Sequence, residues 1–237
     1  MWDENWLDTP ICILDVQQQF DDILEFVEFS EKNIEWQKRS HIQTLDRKAQ
    51  KFRYESPEYF NELQEIEYRF DIILSRKVRY SALLSLITTI EWNARFFESN
   101  VANSLEPKQT GLNASFCIYK QITERTRFKN GDNFLSIIDA LIKVRNCIAH
   151  SGGIVTDYKY SDEIRSVVQK LEGFSIGNGG LSDEFIIIER GSVELLGKKL
   201  SEWVSSLINT SFEKCIMKTS SGEIKIRIPG KKNGDLQ

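Results

Sequence analysis

The sequence predicts an all-α helical bundle with a small C-terminal α+β appendage. Apolar residues recur every three or four positions along most of the chain, the spacing that places them on one face of a helix. Clusters of glycine, proline and asparagine separate these periodic stretches and predict the turns between helices. Short isoleucine-containing runs with glycines between them follow residue 170 and predict a β-hairpin near the C-terminus.

The composition is that of an ordinary soluble protein. The 237 residues are 41% hydrophobic and 28% charged, which suits one sizeable domain with an appendage. No stretch approaches the roughly 20 apolar residues of a membrane span, and the acidic N-terminus lacks the basic and apolar regions of a signal peptide. None of the four cysteines has C-x-x-C spacing, so we expect neither a disulfide scaffold nor a zinc site, and a cytoplasmic location.

Charge is distributed unevenly along the chain. The formal net charge is −4, but residues 1–35 hold ten acidic residues and one lysine, a sum of −9, which leaves +5 for the remainder. The simplest interpretation of the acidic stretch is a solvated helix face. As an alternative, it could occupy a basic cleft as an inhibitor. The mildly basic remainder is compatible with a nucleic-acid surface.

Two long helices are predicted first. One extends from Pro10 to about Tyr54, with apolar residues at helical spacing in its first half. Ser56 and Pro57 suit the N-cap and first turn of a second helix, which continues to Ser99. At 1.5 Å per residue the second helix would be about 60 Å long, so we expect a kink within it.

Two shorter helices follow. The third is predicted from Ala114 to Phe128. Asp132 is a suitable N-cap for the fourth. The adjacent Gly152 and Gly153 can adopt the left-handed conformation that ends a helix.

The C-terminal third is predicted to combine helix and strand. It contains a short helix from Asp162, a hairpin with strands at Phe174 and Phe185, and a last helix after Gly191. A second, weaker hairpin is predicted within residues 215–228. The predicted organisation is therefore an acidic helical region, a helical core, and an appendage with a loose tail, at residues 1–56, 57–155 and 156–237.

Three residues of the fourth helix do not suit a plain core helix. Arg145 falls within its apolar arc, where an arginine is costly unless it is paired. Glu91 interrupts the apolar stripe of the second helix, so a buried Glu91–Arg145 ion pair is one interpretation. Asn146 and His150 are four residues apart and share another face. For His150 the structural alternative is a histidine that caps the helix end.

Histidine and arginine together can catalyse RNA cleavage. Histidine can transfer protons at a phosphodiester, and arginine can hold the charge that develops on the phosphate. We find no glycine-rich phosphate loop, no H-E-x-x-H or G-x-S-x-G motif and no carboxylate cluster, so no metal or cofactor is expected. Arg145 and His150 diverge by about 140° around the helix axis, so a two-fold pair of helices would help bring them to one point.

The stretch R-N-C-I-A-H, followed by S-G-G, resembles the Arg-Asn-x-x-x-His signature of HEPN domains. The resemblance covers roughly residues 57–155, and only Arg145, Asn146 and His150 match the motif itself. It implies a helical bundle that forms a homodimer with two motifs at one cleft. It also implies a metal-independent endoribonuclease of a bacterial toxin–antitoxin, abortive-infection or CRISPR-associated system. Members partnered by a nucleotidyltransferase antitoxin often carry a tyrosine where this chain has Gly152, which argues against that pairing.

The resemblance gives each residue an expected role. His150 would transfer protons, Arg145 would stabilise the phosphate, Asn146 would orient His150, and Glu91 would support the site. Basic residues around the motif are expected to bind RNA, although they also suit simple helix ends: Lys120, Arg125, Arg127 and Lys143. The alternatives are a non-catalytic HEPN-like dimeric scaffold or binding subunit of a larger defence complex, and a helical adaptor with a fortuitous match. The resemblance also implies an antitoxin or a defence-complex protein as a partner.

Overall fold

A computed structural model describes residues 9–50, 56–100, 112–178 and 182–213. These residues are mostly helical and include one two-stranded antiparallel sheet, which confirms the predicted combination of helices with a small hairpin. Within these ranges, no helix combines the length and apolar character that a membrane span requires. In chain order the elements are α1 (Thr9–Ala49), α2 (Pro57–Glu67), a π-helical segment (Tyr68–Leu74), α3 (Ser75–Asn100), α4 (Leu112–Thr126), α5 (Gly131–Ser151), α6 (Ser161–Val168), β1 (Phe174–Gly177), β2 (Phe185–Ile188) and α7 (Ser192–Glu213).

The long second helix is irregular in its interior. Between α2 and α3 the backbone adopts π-helical pairing over Tyr68–Leu74, and such segments change the face that the following residues present. The hydroxyl of Ser75 donates to the Phe70 carbonyl at 2.8 Å, which satisfies one acceptor at this irregularity. At the start of α2, the hydroxyl oxygen of Ser56 accepts the Tyr59 N–H at 3.2 Å, so the predicted cap is confirmed.

Two predicted helix limits are corrected by the structure. α1 ends at Ala49, several residues earlier than predicted. α5 begins at Gly131, and the carbonyl of Asn130 accepts the Phe134 N–H at 2.9 Å. Asp132 therefore lies within the first turn and is not the N-cap. A carboxylate there still interacts favourably with the positive end of the helix dipole.

The chain divides into two compact units, each assembled from separate stretches of sequence. The described residues of the first unit fall within 1–20, 88–142 and 198–237, and those of the second within 21–87 and 143–197. The division into three consecutive segments stays a prediction from sequence patterns.

A row of edge-to-face aromatic contacts runs through the first unit. The ring centroids of Phe97 and Tyr119 are 6.0 Å apart, those of Tyr119 and Phe134 5.1 Å, and those of Phe134 and Trp203 5.6 Å. Each such pair contributes about 0.5–1.5 kcal/mol beyond its burial. The buried hydroxyl of Tyr119 donates to the Ile90 carbonyl at 2.9 Å and so has a hydrogen-bond partner within the first unit.

A buried carboxylate joins three parts of the second unit. Glu31 on α1 is 7% exposed, and its oxygens lie 2.6 Å from Arg79 Nε and 3.1 Å from Arg190 Nε. Nη1 of Arg79 also donates to the carbonyl of Ile188 at 2.8 Å. Removing one partner of a buried charge pair typically costs about 3–5 kcal/mol. This network therefore links α1, α3 and the end of β2 strongly.

The β-hairpin also belongs to the second unit. β1 and β2 pair antiparallel, with Phe174 opposite Ile188 and Gly177 opposite Phe185. The Arg76 guanidinium of α3 lies 4.1 Å from the centroid of the Phe185 ring. The second hairpin, predicted within residues 215–228, lies outside the described residues.

Candidate functional site

α5 ends at two glycines, as the sequence predicts. Gly152 and Gly153 have φ angles of +65° and +83°, a backbone conformation that residues with a Cβ rarely adopt. Their N–H groups donate to the carbonyls of Ile148 and Cys147 at 3.0 and 3.3 Å, which closes the last turn of the helix. A Cβ at Gly153 would lie 2.3 Å from the Tyr80 hydroxyl oxygen, whereas one at Gly152 would meet nothing within 4 Å. Close packing therefore requires glycine at position 153.

Strand β2 and Tyr80 hold this helix end in place. The N–H of Ile186 donates to the Gly153 carbonyl at 3.0 Å, and the N–H of Val155 donates to the Glu184 carbonyl at 2.7 Å. Tyr80 on α3 donates its hydroxyl to the Ile186 carbonyl at 2.5 Å. Burial raises the pKa of Tyr80 well above its usual value, so the phenol remains a donor. Together these contacts fix the direction in which the chain leaves α5.

Two of the three motif residues contact each other. Arg145 and Asn146 are half-buried, and Nη1 of Arg145 donates to Oδ1 of Asn146 at 3.1 Å. His150 is exposed in the last turn of α5, and no described residue forms a hydrogen bond with its side chain. The Asn146 amide oxygen thus orients Arg145. The orientation of His150 by Asn146 stays a prediction.

α6 begins beside the helix face that carries His150. Lys143 precedes His150 by seven residues, so the two side chains lie about 20° apart around the axis and about 10 Å apart along it. Nζ of Lys143 forms an ion pair with Oε1 of Glu163, in the first turn of α6, at 2.9 Å. This ion pair connects the first turn of α6 to the same side of α5, and the loop that follows the motif lies between these two helices.

That loop carries two tyrosines that the predicted site did not include. The ring centroids of Tyr158 and Tyr160 are 5.8 Å apart in an edge-on arrangement, and Nζ of Lys159 lies 5.2 Å from the Tyr160 centroid. Tyr160 is 51% exposed. Burial raises the pKa of Tyr158, and the nearby Cys147 and Glu163 raise it further. The Y-K-Y triplet at 158–160 is the sequence signal that could have identified this cluster.

The cysteine inside the motif is structural. Cys147 is fully buried, its sulfur lies 3.5 Å from the Ser151 hydroxyl and 3.8 Å from the Ile154 carbonyl, and burial raises its pKa. A thiol held in its protonated form is a weak nucleophile. Nucleophilic chemistry at Cys147 is therefore disfavoured.

The other predicted site residues belong to the first unit. Glu91 is half-buried on α3, and Lys120, Arg125 and Arg127 are exposed on α4 or just after it. Lys120 and Arg125 diverge by about 140° around the α4 axis, so α4 does not present both on one face. A basic cleft that combines them with Lys143 and an ion pair between Glu91 and Arg145 both stay predictions.

No protein-family model, curated protein sequence or solved structure matches this chain. Within the part of the chain that the structure describes, no group of three or more histidine, cysteine, aspartate and glutamate side chains could hold a metal ion. The described features that bear on function are therefore the residues around the end of α5.

The Tyr80 hydroxyl should make stability fall at alkaline pH. Because its folded pKa is raised, the folded protein keeps a proton that the unfolded chain loses above the usual tyrosine pKa of about 10. This contribution is fully present well below pH 10 and declines as the pH rises past 10, by roughly 1 kcal/mol at pH 10.5. Tyr80→Phe loses a buried hydrogen bond and should be about 1–3 kcal/mol less stable at neutral pH. The difference in free energy of unfolding between the wild type and Tyr80→Phe should therefore be smaller at pH 10.5 than at neutral pH.

Urea unfolding of both proteins at pH 7.5 and 10.5 measures this difference. Tyr68→Phe, at an exposed position on the π-helical segment, is the matched control and should remain close to the wild type at both pH values. A difference between wild type and Tyr80→Phe that stays constant with pH would contradict the buried, protonated state of Tyr80.

Proposed function

We propose that this protein is a metal-independent endoribonuclease of the HEPN type. The observation that carries the proposal is the exposed His150 at a firmly held helix end, with the Arg145–Asn146 pair about one turn earlier. The resemblance of these three residues to the HEPN motif supplies the reaction class. The same resemblance suggests a homodimer in a bacterial anti-phage or toxin–antitoxin setting.

In the proposed reaction the 2′-OH of one nucleotide attacks the adjacent phosphorus. The 2′-O–P bond forms, the P–O5′ bond breaks, and the products are a 2′,3′-cyclic phosphate and a 5′-hydroxyl. One group accepts the 2′-OH proton and another donates a proton to the leaving oxygen. His150 performs one of these transfers. In a homodimer, His150 of a second copy provides the same chemistry from the other side of the phosphate.

Arg145 is suited to the charged phosphate of the transition state. Its hydrogen-bond partner, Asn146, is neutral and lies 3.1 Å away, so this contact orients the guanidinium without cancelling its charge. A planar guanidinium can donate two parallel hydrogen bonds to phosphate oxygens. Half-burial strengthens such contacts because the surroundings screen charge less than water does.

The loop that carries Tyr158 and Tyr160, which we call the tyrosine loop, suggests that the substrate is single-stranded RNA. Tyr160 offers an exposed ring, Tyr158 supports it edge-on, and the Lys159 cation lies beside it. Unpaired bases stack on such rings, and a nearby cation interacts with the RNA backbone. The Lys143–Glu163 ion pair connects α6, which begins next to Tyr160, to the face of α5 that carries His150.

A non-catalytic scaffold is the second candidate function. Its support is the Arg145–Asn146 hydrogen bond, which gives both residues a structural role without any substrate. In that case the motif maintains the shape of the α5 end, and the protein acts as a HEPN-like subunit of a larger defence complex.

His150→Ala should strongly slow RNA cleavage. The loss of one proton-transfer group should lower the rate by about 10²–10⁴-fold. The measurement is cleavage of a mixed RNA pool by the purified protein in EDTA. His41→Ala is the matched control, because His41 is the other histidine of the chain and is exposed on α1. It should retain wild-type activity.

Cleavage that survives His150→Ala would refute the assignment of His150. Absence of cleavage by the wild type, under conditions where it binds the same RNA, would favour the scaffold.

Tyr160→Ala should weaken binding of single-stranded RNA. The loss of one stacking contact is worth about 1–3 kcal/mol, so the dissociation constant should rise about 5-fold to 160-fold. Binding is measured by fluorescence anisotropy with a labelled oligonucleotide, in a His150→Ala background that prevents cleavage. Tyr160→Phe keeps the ring and should bind like the parent.

Tyr68→Ala removes a different exposed tyrosine of the same unit and should leave RNA binding unchanged. Equal affinities for Tyr160→Ala and the parent would remove the tyrosine loop from the RNA site. This binding result would leave the test of His150 by the cleavage assay unaffected.

A further inference from the structure

α1 carries an exposed aromatic stripe on the side opposite its buried face. Phe26, Phe29 and Trp36 are 51%, 70% and 67% exposed. At 100° per residue they fall within about 80° of one another around the helix axis. Soluble proteins rarely leave several large rings exposed on one face unless that face has a partner. We define these three residues as the aromatic stripe.

The other face of this part of α1 packs within the second unit. Leu24, Val27 and Glu31 are 9%, 0% and 7% exposed, and Glu31 forms the ion pairs with Arg79 and Arg190. The helix is therefore anchored on one side, and its exposed stripe cannot turn inward without breaking that network. A helix with two apolar faces suits a position between its own domain and a second partner.

We propose that the aromatic stripe is a self-association surface, on which α1 of a second copy of this chain packs antiparallel. The stripe is centred near residue 31. A two-fold axis at that point places Phe26 opposite Trp36 of the second copy and Phe29 opposite Asn33, so the same residues complete both halves of the interface. This surface contains no motif residue, so it is separate from the motif-centred homodimer contact of the proposed function, and it does not depend on ribonuclease activity.

The charge pattern of α1 favours the antiparallel direction. Its five charged residues from 21 to 31 are all acidic: Asp21, Asp22, Glu25, Glu28 and Glu31. From 32 to 48 there are five basic residues and two acidic ones. An antiparallel partner places the acidic half of one helix beside the basic half of the other. In this register Glu25 lies within one helical turn of Arg39 of the second copy, which also forms an ion pair with Glu35 of its own chain at 3.0 Å. A parallel partner would place the acidic halves together, which costs free energy.

The exposed area is sufficient for a moderate affinity. At the 150–250 Å² that an aromatic side chain buries, the exposed fractions of the three rings correspond to about 400 Å² per copy. A stable interface buries about 800 Å² per partner. The three rings thus supply about half of this buried area, and the flanking side chains along α1 supply the rest. We expect a dimer that dissociates in the micromolar range.

Sedimentation velocity of the full chain over a range of concentrations tests the interface. The wild type should form a concentration-dependent dimer, and Trp36→Glu should raise its dissociation constant at least about 30-fold. Trp92→Glu is the matched control, because Trp92 is a 47%-exposed tryptophan of the other unit. It should dimerise like the wild type, and circular dichroism should show that both variants fold.

A charge exchange tests the direction of pairing. Glu25→Arg and Arg39→Glu should each weaken the dimer about 3-fold or more, and the double variant should restore it. Restoration distinguishes a contact between copies from a general loss of stability. A wild type that stays monomeric would overturn the proposal, as would a dimer that Trp36→Glu leaves unchanged. Charge variants without restoration would overturn the antiparallel register.

Discussion

The contact between Gly153 and Tyr80 determines the geometry of the candidate site. The left-handed backbone at Gly153 brings the chain against the Tyr80 hydroxyl, with no room for a Cβ. The same hydroxyl donates to Ile186, whose N–H donates back to Gly153. One buried phenol thus connects α3, the end of α5 and strand β2. The last turn of α5 carries His150, so this junction sets the direction in which that side chain enters solvent.

The motif residues divide into an ordered pair and an exposed histidine. Arg145 and Asn146 satisfy each other within the chain, and such preorganisation suits a group that stabilises developing charge. His150 is exposed beyond them, as a proton-transfer group that must meet substrate would be. The loop after Gly153 adds Tyr160, an exposed ring close to the start of α6. In the proposed function, the groups for proton transfer, phosphate stabilisation and base stacking therefore come from one short stretch of chain.

Local patterns predicted the features that depend on neighbouring residues. The Ser56 cap, the glycine end of α5 and the β-hairpin are confirmed, because caps, left-handed turns and strands have signatures within a few residues. The N-cap assignment of Asp132 was wrong, since Asn130 and Gly131 compete for the same helix start. Apolar periodicity does not encode contacts between distant stretches. The contacts of Tyr80, Arg79 and Glu31 could not be predicted from the sequence, because each residue lies in an ordinary helical pattern and its partners are distant along the chain.

The chemistry of newly formed RNA ends tests the proposed mechanism most directly. Attack by the 2′-OH leaves a 5′-hydroxyl and a 2′,3′-cyclic phosphate, whereas attack by water in a metal-dependent nuclease commonly leaves a 5′-phosphate. RNA cleaved by the purified protein in EDTA can be labelled by polynucleotide kinase with and without prior phosphatase treatment. We expect new 5′ ends to accept the label without phosphatase, and RNA with 2′-deoxyribose at the cleaved position to resist cleavage. New ends that require phosphatase, or cleavage of the deoxy substrate, would contradict transesterification by the Arg145–His150 site.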